Sequence, residues 1–271
     1  MSETVTRSGR ARIAAAFARA RAQRAAALMP YYTLGYPDRE ASLAIVEAIS
    51  PHSDLLELGV PFSDPLADGP TIQHSTHQAL EAGTTTAGCL EMVQTLRSRG
   101  VQTPAMLMGY YNPILAYGEE RYVHDAAEAG ADGFIVPDLP PEEADTLEAV
   151  ADEVGLALIH FLAPTSSPRR VEQVLARARG FIYMVSLTGV TGTGAGPASG
   201  LADFVEGVRA RARVPVAVGF GISTPAQAAT VAAYADGVIV GSALIRAVDA
   251  SESDRPGAAA AFVQALRAGL R

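Results

Sequence analysis

Residues 215–244 read PVAVGFGISTPAQAATVAAYADGVIVGSAL. An apolar run at 215–219 stops at Gly219, a helical pattern fills 224–234, and a second apolar run occupies 237–240. Gly241 then opens another short helical stretch, near 242–248. Both runs are apolar at successive positions, as strands covered on two faces must be. Two strands separated by a helix rather than a tight turn pair in parallel, so this stretch predicts a βαβ unit.

The same alternation extends upstream. Strands are predicted at 29–34, 54–58, 104–109, 132–136, 156–161 and 181–185, and helical patterns fill the gaps. Among these are 39–50, a long region from Thr71 to Arg99 with a break at Gly83, 142–154, 168–179 and 201–212, and a last helix lies near 256–269. About eight βα units in ~250 residues match a (β/α)8 TIM barrel, with a doubly wound open sheet as the alternative. The spacing of Ile13, Phe17 and Leu28 predicts an additional N-terminal helix lying on the domain. Residues 1–9 form an N-terminal extension and 10–271 a single barrel domain, since no linker divides the chain.

The chain has 271 residues, 49% of them hydrophobic and 18% charged, which excludes wholesale disorder. A net charge of −8 has the wrong sign for a nucleic-acid backbone binder. All 21 basic residues are arginine, so an imine on an internal lysine cannot form and pyridoxal phosphate cannot attach to this chain. The single cysteine, Cys89, excludes an intrachain disulfide or a Cys-rich zinc site and reads as buried packing. No apolar stretch reaches the ~20 residues of a membrane span. The N-terminus lacks the apolar core of a secretory signal, so a cytoplasmic protein is expected.

In a barrel, chemistry belongs to the C-terminal ends of the strands and the loops after them. Glu57 lies inside an apolar strand and would face the interior if the alternation holds; burial would raise its pKa. Asp64 and Asp68 follow in a loop stiffened by prolines, and a strand-end carboxylate with a loop carboxylate can form an acid–base pair. A salt-bridging glutamate and ordinary turn aspartates are the alternative. Glycine loops follow the sixth strand (Gly189, Gly192), the seventh (Gly219, Gly221) and the eighth (Gly241, before Ser242). Their backbone N–H groups can converge on a phosphate without lysine, although glycine also simply permits tight turns. Tyr110, Tyr111 and Asn112 after the third strand, and Tyr183 in the sixth, either line the pocket or pack the core. His74 and His77 are one helical turn apart but have no third ligand signalled, so no metal is expected; His52, His124 and His160 stand alone.

The segment LELGVPFSDPLADGPTIQ (56–73) closely resembles the signature of the tryptophan synthase alpha chain family. The resemblance runs from about Ile13 to Leu270 and includes MPYYTLGYP (29–37), YYNP (110–113), VPDLP (136–140), SLTGVTG (186–192), GFGIS (219–223) and VGSA (240–243). It implies a barrel lyase that cleaves indole-3-glycerol phosphate to indole and glyceraldehyde 3-phosphate. It makes Glu57 and Asp68 catalytic and assigns phosphate contacts to Gly192, Gly221 and Ser242, with Phe220, Gly219 and Gly241 in the same loops. Tyr31, Tyr110 and Tyr183 line the substrate, and Thr191 sits on a closing loop. Asp64, Asp138 and Pro140 are assigned to loop closure and coupling to a partner, while Leu187 departs from the arginine of some relatives. The partner implied is the tryptophan synthase beta chain, carrying pyridoxal phosphate, in an alpha2beta2 complex; no cofactor belongs to this chain. Competing readings are a stand-alone lyase releasing free indole, a phosphate-sugar isomerase or epimerase barrel, and a non-catalytic partner protein.

Overall fold

The computed structural model describes residues 8–186, 200–219 and 221–270. Eight parallel strands close into a barrel in the order β1 to β8, which removes the open-sheet alternative. The strands are β1 (Ala27–Thr33), β2 (Leu56–Gly59), β3 (Ala105–Met108), β4 (Gly133–Ile135), β5 (Ala157–Leu162), β6 (Ile182–Val185), β7 (Val216–Gly219) and β8 (Gly237–Val240). The helices are α1 (Gly9–Ala22), α2 (Arg39–Ile49), α3 (Pro70–Glu81), α4 (Thr86–Ser98), α5 (Tyr111–Tyr117) and α6 (Glu119–Ala129). Completing the ring are α7 (Asp145–Glu153), α8 (Pro168–Arg177), α9 (Leu201–Arg209), α10 (Pro225–Ala232), α11 (Ser242–Asp249) and α12 (Arg255–Gly269).

Local chemistry sets many of the boundaries. The side chains of Asp38, Thr85, Ser167, Thr224 and Asp254 accept the third backbone N–H beyond them and cap α2, α4, α8, α10 and α12. Proline opens α3, α8 and α10, where its missing N–H costs nothing. The long helical region at 71–99 is two helices, parted at Gly83 with a φ of 85°, as the glycine break foretold. The helical pattern between β3 and β4 is likewise split, at Gly118 with a φ of 94°.

The N-terminal helix ends at Ala22, and Leu28 lies in β1 rather than on that helix. Ser8 caps its first turn. Ile13 and Phe17, both buried, close the N-terminal end of the barrel. The Phe17 ring lies against Gly237 of β8, where a Cβ would stand 3.0 Å from it, and 5.8 Å from the ring of Phe181.

Asp54, expected as the first residue of a strand, precedes β2 and does something else. Its carboxylate accepts the N–H of Leu28 on β1 at 2.8 Å and pairs with Arg267 at 2.5 Å. Asp132, just before β4, accepts from Ala105 at the start of β3 and pairs with Arg97, both at 2.8 Å, and with Arg12 of α1 at 3.1 Å. Asp236, just before β8, accepts from Val216 at the start of β7 at 3.0 Å and pairs with Arg209 at 2.7 Å. Each aspartate ties its strand to the preceding one and is neutralised by arginine, as a buried charge must be. His160 is not alone either: its Nε2 lies 2.5 Å from Glu148, which also receives Arg177.

Candidate active site

The catalytic face is the C-terminal end of the barrel. Tyr31 and Glu57 are register partners on β1 and β2. Glu57 is fully buried, and neither carboxylate oxygen has a hydrogen-bond partner among the described residues. Burial therefore drives its pKa well above the ordinary glutamate range and favours the protonated form. A buried acid without a partner is costly to fold around, and a group of this kind is what proton delivery requires.

Asp68 lies half-buried in the loop after β2 and accepts the hydroxyl hydrogen of Tyr110 at 2.9 Å. The Tyr110 oxygen in turn accepts the N–H of Ala67 at 2.9 Å, tying the loop to α5 by one side chain. Desolvation raises the Asp68 carboxyl to about 6, against the Tyr110 hydrogen bond, which lowers it. Burial shifts both carboxyls toward the protonated form, with nothing to offset it at Glu57 and with the Tyr110 hydrogen bond opposing it at Asp68. The hydroxyls of Tyr31 and Tyr183 are each coupled electrostatically to both Glu57 and Asp68, so the four groups share one neighbourhood. Tyr183 is held by stacking on Phe161, with ring centroids 4.7 Å apart.

Glycine makes room for these rings. A Cβ on Gly59 would collide with the Tyr31 hydroxyl, and one on Gly219 with the Tyr183 hydroxyl. A Cβ on Gly241 would stand 3.3 Å from the Tyr31 side chain. Gly219 and Gly241 thus have a packing role at the mouth that their spacing in the sequence does not announce. Gly221 differs: its φ of 77° selects glycine, and no described atom lies within 4 Å of where a Cβ would be. Among the described residues nothing crowds that side, which leaves its backbone free to meet a ligand. Ser242 is the first residue of α11. Thr191, Gly192, Phe220 and Leu187 lie outside the described residues.

Gly219→Ala is expected to cost about 1–3 kcal/mol by overpacking, or to push Tyr183 across the site and cut activity. Adding Tyr183→Phe removes only the nearest of the three atoms that the new methyl meets, leaving ring carbons at 2.7 and 2.8 Å, and should recover little of the loss. Urea unfolding and kcat/KM on the single and double variants test this.

The other loop residues are placed at the same face. Asp64 is exposed and accepts from the Ser63 hydroxyl at 2.6 Å. Asp138, also exposed, accepts the first N–H of α5, from Tyr111, at 3.0 Å, and Pro140 is half-buried beyond it. Among the described residues no group of three His, Cys, Asp or Glu side chains could hold a metal. Thr33 and Ser75, both buried beside Tyr31, carry no signal in the sequence, since threonine in a strand and serine in a helix are commonplace.

A closed parallel barrel with a buried acid and a loop anion at its C-terminal mouth belongs to the (β/α)8 enzymes. The family model for the tryptophan synthase alpha chain matches residues 17–269. A tryptophan synthase alpha chain from Chloroflexus aurantiacus is 52% identical over 257 residues, covering 94% of this chain and 97% of its own. One from Geobacter sulfurreducens is 50% identical over 260 residues, covering 94% and 97%. The crystal structure of the alpha chain from Legionella pneumophila superposes with a TM-score of 0.87 at 37% identity, covering 96% of this chain and 97% of that one. That of tryptophan synthase from M. tuberculosis, in an aminoacrylate-bound form, gives 0.86 at 38%, covering 96% and 99%. The chain belongs to the tryptophan synthase alpha chain family.

Proposed function

We propose that Glu57 and Asp68 are the acid–base and electrostatic pair of a retro-aldol cleavage. The chain is a lyase that cleaves indole-3-glycerol phosphate to indole and glyceraldehyde 3-phosphate, the alpha reaction of tryptophan biosynthesis. The observation that carries the assignment is the fully buried, unpartnered carboxyl of Glu57 coupled to the same two tyrosines, Tyr31 and Tyr183, as the Asp68 carboxylate. With no lysine in the chain, the electrons of the breaking carbon–carbon bond cannot flow into an imine. The indole ring takes them. Protonated Glu57 delivers its proton to ring carbon C3, and the positive charge moves to the ring nitrogen. Asp68 accepts the hydrogen bond of that N–H and stabilises the cation. Glu57, now a carboxylate, takes the proton of the hydroxyl on the carbon attached to C3. The carbonyl of the aldehyde forms, the bond to C3 breaks, and its electron pair restores the neutral aromatic ring. Glu57 ends protonated, as it began. Tyr31, Tyr110 and Tyr183 line the ring, and backbone N–H groups at Gly192, Gly221 and Ser242 hold the phosphate, with Gly219, Phe220, Gly241 and Thr191 in the surrounding loops. No cofactor is assigned to this chain.

The partner is a tryptophan synthase beta chain, which carries the pyridoxal phosphate, in an alpha2beta2 assembly in the cytoplasm. Leu66 is 92% exposed and Leu115 is 49% exposed. They lie in the loop after β2 and on α5 after β3, so both stand at the catalytic end of neighbouring strands. Large exposed apolar side chains beside Asp64, Asp138 and Pro140 favour a docked partner over a stand-alone lyase. No helix among the described residues is long and apolar enough to cross a membrane.

Indole release measured with and without a beta chain tests the reading. Release that rises on adding the beta chain, and rises less in Asp64→Ala, is the expected result. Cleavage that ignores the beta chain, with no complex in analytical ultracentrifugation at micromolar concentrations, would favour the stand-alone lyase. No cleavage under either condition would overturn the assignment.

A further inference from the structure

Three hydroxyls form a chain behind Tyr31. The Tyr31 hydroxyl lies 3.2 Å from Thr33 Oγ1, Thr33 Oγ1 lies 2.7 Å from Ser75 Oγ, and Ser75 Oγ lies 2.9 Å from the Ile72 carbonyl oxygen. The polarity of this chain is forced. A carbonyl has no hydrogen, so Ser75 donates to Ile72. Ser75 has only one hydrogen, so toward Thr33 it accepts, and Thr33 donates. Thr33 has then spent its own hydrogen, and Tyr31 donates to it. The Tyr31 hydrogen is committed away from the site, and its oxygen has only lone pairs left to offer.

The position of that oxygen gives the polarity a use. Tyr31 shares a register level with Glu57, and its hydroxyl reaches past it into the space a Cβ on Gly59 would fill. It therefore lies one layer above Glu57 toward the mouth. Both Thr33 and Ser75 are fully buried, so water does not compete for these bonds. A hydroxyl free to rotate could donate or accept; one locked by two buried neighbours can only accept, and it calls for a donor on the ligand.

We propose that Thr33 and Ser75 are positioning residues that fix the Tyr31 hydroxyl as an acceptor for the middle hydroxyl of the substrate's glycerol chain, which does not react. The assignment rests on the function proposed above. Of the donors on the substrate, the ring N–H goes to Asp68 and the hydroxyl next to the ring gives its one hydrogen to Glu57, which leaves the middle glycerol hydroxyl. Accepting from that hydroxyl fixes the rotation of the chain about the reacting carbon before the hydroxyl next to the ring loses its proton, and discriminates against a ligand that lacks it.

The experiment uses the full-length chain and two ligands: indole-3-glycerol phosphate and the analogue with hydrogen in place of the middle hydroxyl of the glycerol chain. Wild type should bind the substrate more tightly than this deoxy analogue. Thr33→Val and Tyr31→Phe should each lower kcat/KM for the substrate about tenfold, the value of one uncharged hydrogen bond. The double variant should be no worse than either single, because both changes remove one interaction. Thr33→Ser, which keeps the hydroxyl, should stay near wild type, and Ser75→Ala should fall in the same direction as Thr33→Val. Affinity for the deoxy analogue should not change in any of them. Additive losses in the double variant, failure of Thr33→Ser to retain activity, or weakened binding of the deoxy analogue in Thr33→Val would each mark a merely structural role and overturn the proposal. A wild-type chain that neither binds nor cleaves the substrate would remove the proposed function and this assignment together. One that cleaves it while the cycle is additive would remove this assignment alone.

Discussion

Glu57→Gln is expected to lower indole release by about 10³-fold or more while leaving the circular dichroism spectrum unchanged. The amide preserves the volume of a fully buried side chain but can neither deliver a proton to the ring nor take one from the hydroxyl. A second readout follows from the raised pKa of this carboxyl. Above the ordinary glutamate range the unfolded chain loses the proton that the folded chain retains, so folding stability falls as pH rises through that interval. The slope is the opposite of that given by a salt-bridged carboxylate. Glu57→Gln removes it, so the variant should gain stability relative to wild type as pH rises, in urea titrations at a series of pH values. Wild-type turnover in a folded variant would exclude Glu57 as the acid.

Asp68→Asn is expected to lower kcat by about 10²-fold or more with a smaller change in KM, because the charge it removes matters most when the ring is cationic. With the Asp68 carboxyl raised to about 6, kcat/KM in wild type should fall as pH drops through 6, when the anion is neutralised. The residual activity of Asp68→Asn should lack this acid limb. The same group adds a stability contribution that is complete at low pH and is lost as pH rises through 6, since the folded form binds its proton more tightly than the unfolded one. Tyr110→Phe should shift the acid limb upward, because the hydrogen bond it deletes favours the anion. An effect of Asp68→Asn confined to KM would make Asp68 a binding residue.

The barrel was legible because buried parallel strands announce themselves. Runs such as 181–185 and 237–240 are apolar at every position, and glycine or proline marks many of their ends. Glu57 was legible for the same reason reversed, a single carboxyl in a strand that is otherwise apolar. What escaped depends on contacts between distant residues. Thr33 and Ser75 are 42 residues apart and meet only because α3 packs over the end of β1. The role of Gly219 was hidden because its partner, the Tyr183 hydroxyl, reaches it from the neighbouring strand. Asp132 and Asp236 did leave a trace: ADGFIV at 131–136 and ADGVIV at 235–240 are near repeats, each with an aspartate at the threshold of a strand. Alternation of apolar runs locates the strands in such a repeat but says nothing of the backbone N–H that the aspartate accepts.

Those aspartates lock three pairs of strands at the closed end of the barrel: β1 to β2, β3 to β4 and β7 to β8. The fourth pair, β5 and β6, has Gly180 and Phe181 at the equivalent place, with no carboxylate. Thermal breathing of the wall is thereby steered away from the three locked seams. In native-state hydrogen exchange the amides along β5 and β6 should lose protection at a lower free energy than those of the three locked pairs. That seam carries Phe161 and Tyr183, on the side of the mouth away from Glu57. The wall can yield where a flat aromatic ligand slides in against Tyr183, while the strands that hold the acid stay in register.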